Sequence, residues 1–135
     1  MTESATAALL STARAALERF HDVRVDADGA LSFRHGDVPC FVQGLELADG
    51  LVVLNLMCVV AWDLDDDASL PSRLVERAGE GLFGALGAVQ TDKGWDVTLR
   101  YAFPGAGLDE GPMATLLMLV VAAASQLRTE LVASA

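Results

Sequence analysis

Asp63, Asp65 and Asp67 alternate through the run DLDDD, the spacing of the first, third and fifth ligands of an EF-hand calcium loop. The pattern fails further on. The sixth position, where that loop needs Gly for its sharp turn, is Ala68, and the twelfth, which needs a bidentate Glu, is Leu74. Asp63 to Asp67 therefore reads as a solvated acidic loop ahead of a helix N-terminus, where the helix dipole favours carboxylates.

His21, His35, Cys40 and Cys58 would supply nitrogen and sulfur for a zinc ion, yet no pair has the short ligand spacing of a structural zinc site. Both histidines fall at ends of predicted elements. Neither cysteine has a basic neighbour to stabilise a thiolate, so they read as buried thiols kept reduced in the cytoplasm. Nucleophile chemistry finds no support either: no serine stands in a GxSxG elbow. Asp26, Asp28, Asp37, Asp49 and Asp92 fall at wet turns, not in a dry pocket suited to general acid–base work. GAGLDEG (105–111) precedes a helix but lacks the phosphate-loop lysine. No catalytic residue, metal or cofactor is expected.

What remains are side chains suited to binding another protein. Trp62, Trp95, Tyr101 and Phe103 are large aromatics in or at the ends of strands, and Met113 and Met118 are adaptable apolar side chains.

The elements that must position them follow from periodicity. Leu9, Leu10, Ala13, Ala16, Leu17 and Phe20 recur at steps of three and four. They predict a helix to about Phe20 that Thr2 or Ser4 would cap. The period then falls to two. Val23 and Val25, a turn at Asp28-Gly29, then Leu31 and Phe33 predict a hairpin with one wet face. Turns at His35-Gly36-Asp37 and Asp49-Gly50 separate two longer strands, Val38 to Leu47 and Leu51 to Trp62. LVVLNLMCVVAW is so apolar that it predicts a central strand covered on both faces.

Ser69 and Pro71 start a short helix through Ala78, ended by Gly79 and Gly81. Leu82 to Gln90 and Trp95 to Phe103 make a second hairpin. Asp109 then caps a long C-terminal helix with apolar positions Met113, Leu116, Leu117, Val120, Ala124, Leu127 and Leu131. Met118, Leu119 and Val121 lie outside that stripe. That leaves the helix wedged between two layers or covered by a second copy of the chain.

Composition bounds the class. A chain of 135 residues, 53% hydrophobic and 21% charged, forms a single domain with a core of its own. Nine basic residues against nineteen acidic ones, a net charge of −10, exclude a phosphate-binding surface, so neither nucleic acid nor an anionic membrane is an expected partner. A single lysine, Lys93, together with richness in Ala, Gly and Val, points to a GC-rich bacterial genome. The N-terminus is interrupted early by Arg14, Glu18 and Arg19, unlike a secretory signal. The apolar run Met113 to Ala124 is shorter than the ~20 residues a bilayer requires.

In the pattern of small residues, turns and strand apolarity, three stretches resemble the YbjN-like family. They are VRVDADGALSFRHGDVPCFVQ, LVVLNLMCVVAW and FGALGAVQTDKGWDVTLRYAFPGAGLDEGPMATLLMLVVAAASQL, and together they span most of the chain. The resemblance implies the fold of the type III secretion chaperones, a homodimer, a polypeptide partner and no active site. The expectation is thus an α+β domain: an N-terminal helix, an antiparallel sheet of about five or six strands, a short middle helix and a long C-terminal helix. It works as a chaperone- or adaptor-like homodimer with Trp62, Trp95, Tyr101, Met118, Leu119 and Val121 at its interfaces. The alternative is a small-ligand sensor with a closed pocket between sheet and last helix. An open apolar patch would favour the first and an enclosed cavity the second.

Overall fold

Ser4 opens the first helix: its hydroxyl oxygen accepts the Ala7 N–H at 3.0 Å, and α1 runs Ala5–Glu18. The computed structural model describes residues 4–133, so Thr2, the other predicted cap, lies outside the described residues. α1 buries Leu9, Ala13, Ala16 and Leu17, as its spacing predicts. It stops sooner than predicted. The N–H groups of Phe20 and His21 both turn back to the Leu17 carbonyl, and the turn leaves Phe20 62% exposed instead of in the apolar stripe.

Six antiparallel strands follow, β1 (Arg24–Val25), β2 (Leu31–His35), β3 (Val38–Ala48), β4 (Leu51–Leu64), β5 (Ala85–Thr91) and β6 (Gly94–Pro104), in the spatial order β1-β2-β3-β4-β6-β5. β1 is only two residues long and both are exposed, so Val25 does not share the core face with Leu31 and Phe33. Between β4 and β5 lies α2 (Leu70–Ala78), and α3 (Glu110–Ala133) closes the chain.

β4 is central, as its apolarity predicts, but only one of its faces is covered. Val52, Leu54, Leu56, Cys58 and Val60 are buried, whereas the alternate residues Val53, Asn55, Met57 and Val59 are half-buried. The reason is where the helices pack. The core joins one sheet face, with Phe33, Val42, Leu99 and Phe103, to α1 and α3, and no described helix covers the other face. β4 also outruns its predicted end through two irregularities, between Val59 and Ala61 and between Ala61 and Leu64. They leave Asp63 at φ 53, in the left-handed region, and draw it into the strand.

α3 buries Met113, Leu117, Val120, Val121, Ala124 and Leu127, and each leucine fully withdrawn from water contributes roughly 1.5–3 kcal/mol. Val121, expected at an interface, lies outside the main stripe yet is fully buried: here α3 is wedged between layers, with the sheet and α1 together covering more than one row of it. By length and composition alone, Glu110–Val132 is apolar enough to span a bilayer. Here one side of it is docked on the sheet.

Candidate binding surfaces

The six predicted interface residues do not form one site. Trp62 is 43% exposed near the end of β4, with the Arg128 guanidinium 5.0 Å from its ring centroid. Arg128 also donates from Nη1 to the Val60 carbonyl at 3.0 Å, which holds the cation in place over the indole. Trp95 is the second residue of β6 and donates from Nε1 to Asp66 Oδ1 at 3.1 Å. Its ring walls a groove of about 310 Å³ between α2 and β5, together with Leu74, Val75 and Leu86. Val75 stands 74% exposed at the lip. Tyr101 is half-buried between Phe83 and Phe103, with ring centroids 5.1 Å and 5.4 Å away.

Met118 and Leu119 do meet. With Phe20 from beyond the end of α1 they line an open groove of about 380 Å³ floored by the small residues Gly111, Ala114 and Ala122. Leu119 is 48% exposed and Phe20 more so. An ion pair between Arg19 and Glu110 ties the end of α1 to the start of α3 beside it. Val121 is absent from this groove because it is in the core. Phe20, Val75 and Arg128 belong to these surfaces; spacing placed Phe20 in the buried stripe of the first helix and did not single out the other two. The polar run His21-Asp22 directly after Phe20 marks a helix end and could have set it apart.

The acidic loop is occupied by its own hydrogen bonds. Asp96 Oδ1 accepts the Asp63 N–H at 3.0 Å, Asp66 holds Trp95, and Asp67 Oδ1 accepts both the N–H and the hydroxyl of Ser69 at 2.9 Å. The two bonds from Ser69, with a smaller contribution from Arg73, hold the Asp67 carboxyl below its usual range. Among the described residues no three His, Cys, Asp or Glu converge on a point where they would hold a metal ion. The four soft ligands separate into two pairs. His21 Nε2 lies 2.9 Å from His35 Nδ1, and Cys40 Sγ lies 3.7 Å from Cys58 Sγ inside the core.

No family model matches the sequence, and no curated protein matches it. Its fold does have a counterpart. A chain in the crystal structure of the ExsC–ExsE complex superposes with a TM-score of 0.67 over 96% of this chain and 97% of that chain, at 15% sequence identity. The fold is type III secretion chaperone-like. At 15% identity the likeness is one of fold.

Proposed function

We propose that this chain is a non-enzymatic, chaperone- or adaptor-like binding module of YbjN-like type, acting in the cytoplasm as a homodimer on a partner polypeptide. The observation that carries the reading is the apolar groove of Phe20, Met118 and Leu119, which a monomer leaves open to water. A second copy seated on it would cover the α3 face and leave the sheet face that no described helix covers for the partner. The counterpart fold was solved in a complex, which fits a protein-binding role. Two reduced thiols in the core fit a reducing compartment. The two grooves described are open and measure about 310 and 380 Å³, so they favour a binder over a sensor that encloses its ligand.

The test is affinity purification of the tagged protein from its host in mild salt, with the mass of the bait recorded. One polypeptide recovered in stoichiometric amount with a bait of twice the monomer mass is the expected result. A bait that returns alone as a folded monomer of 14.2 kDa refutes the reading.

A further inference from the structure

The uncovered sheet face carries a cross-strand arrangement of charge that none of the interface residues above belongs to. Phe41 on β3 and Met57 on β4 are direct partners, and Met57 in turn is the partner of Arg100 on β6. In the adjacent row Gln43 is the partner of Asn55. These side chains, with Asp26 and Asp28 of the β1–β2 turn at the far side, line a groove of about 320 Å³. It has carboxylates at one end, a guanidinium at the other and an apolar floor of Phe41 and Met57 between them.

Asp28 Oδ1 accepts the Ala30 N–H at 3.1 Å, but other polar groups of this groove lack partners. Arg14, Arg19, Arg73 and Arg77 are in ion pairs and Arg128 lies on Trp62, whereas Arg100, like the strand residues Arg24 and Arg34 that do not line this groove, has no ion-pair or hydrogen-bond partner among the described residues. Nor do the side-chain amides of Gln43 and Asn55, though Asn55 is half-buried. A free amide pair above an apolar floor is suited to the unpaired N–H and C=O groups of an extended chain. A helix offers nothing there, because its backbone groups are already bonded to one another. Crossing from β1 to β6 covers four strand spacings of about 4.8 Å, which an extended segment of about six residues spans.

We infer that this groove binds an extended, dipolar segment of a partner polypeptide. A Lys or Arg lies over Asp26 and Asp28, apolar side chains rest on Phe41 and Met57, and an Asp or Glu meets Arg100. The inference rests on the protein-binding reading above and names the surface and the chemistry of the partner.

Methionine-methyl NMR of the full chain tests it, because Met57 reports this face and Met118 the α3 groove, with buried Met113 as a check on the fold. The probe is the blocked heptapeptide Lys-Ser-Leu-Thr-Leu-Ser-Glu, against versions with Lys at both ends or Glu at both ends. The dipolar peptide should shift the Met57 methyl saturably, at least five-fold more tightly than either control. Arg100→Glu, an exposed substitution that leaves Met113 unmoved, should make the doubly basic peptide the best of the three. A silent Met57 at millimolar peptide, three peptides of equal effect, or a response at Met118 instead overturns the inference. If a host polypeptide still co-purifies in that case, the protein-binding reading stands and only this site is lost. If none does, both fall.

Discussion

Cys40 and Cys58 are direct cross-strand partners on β3 and β4, with their sulfurs 3.7 Å apart and both side chains fully buried. Cys40 also donates to the Val38 carbonyl at 3.5 Å, and its contact with Cys58, followed by burial, pushes the Cys58 thiol far above its ordinary pKa. Neither sulfur is open to a reagent, and a thiol held neutral is a poor nucleophile. The native protein should therefore show no fast reaction with an aromatic disulfide reagent at pH 8. It should release two equivalents once unfolded in guanidinium. Fast labelling of the folded chain would mean that β3 and β4 open far more readily than a central pair should.

The pair His21 and His35 gives a pH dependence. Burial and then the nearby His35 lower the His21 pKa below 6.5, against a smaller raising effect from the Leu17 backbone. The unfolded chain thus takes up its proton at a higher pH than the folded one. Stability from this site is complete above pH 6.5 and declines as pH falls through the folded value. The urea midpoint should drop between pH 7.5 and pH 5, and His21→Phe should flatten that drop. An equal slope in the variant would place the dependence on the carboxylates.

Gly94 begins β6 at φ +124, where an added Cβ would come 2.0 Å from the Leu64 carbonyl oxygen. Gly94→Ala forces the β4 end and the β5–β6 turn apart, at a cost of about 2–4 kcal/mol. Gly36→Ala, at φ +59 with open space around it, should cost only ~1 kcal/mol. Thermal melts of the two variants should differ by roughly 3–10 °C, with Gly94→Ala the lower.

Two positions on α3, two residues apart, separate core from interface. Val121→Asp places a carboxylate in a fully buried site and should destabilise the monomer by about 3 kcal/mol or more. Leu119→Asp adds its charge to a half-exposed side chain, so the melt should be nearly unchanged while light scattering reports monomer. A Leu119→Asp protein that remains dimeric would move the self-association surface elsewhere, with the α2–β5 groove around Val75 the next to probe.

Element order, turn positions and the centrality of β4 were legible because periodicity and turn chemistry are local. Leu9 to Leu17 repeat at helical spacing whatever they pack against, and Asp28-Gly29 and Asp49-Gly50 turn the chain by their own backbone preferences. The failures of the calcium, zinc and serine motifs were equally local. Whether an apolar side chain meets a helix, a second copy or water is not local. LVVLNLMCVVAW is uniformly apolar, yet both major helices pack on one side of it, so Leu56 is core and its neighbour Met57 is surface.

By itself the sequence determined an acidic α+β chain of three helices and about six strands with no motif for catalysis. Tertiary structure alone decided that Val121 is core while Leu119 is surface, and that Phe20 falls outside the helix that should have buried it. It also decided that Met57 stands beside Arg100 on a face no described helix covers. The reason is register: cross-strand partners such as Met57 and Arg100 are far apart in sequence, and they meet only once β6 is paired with β4.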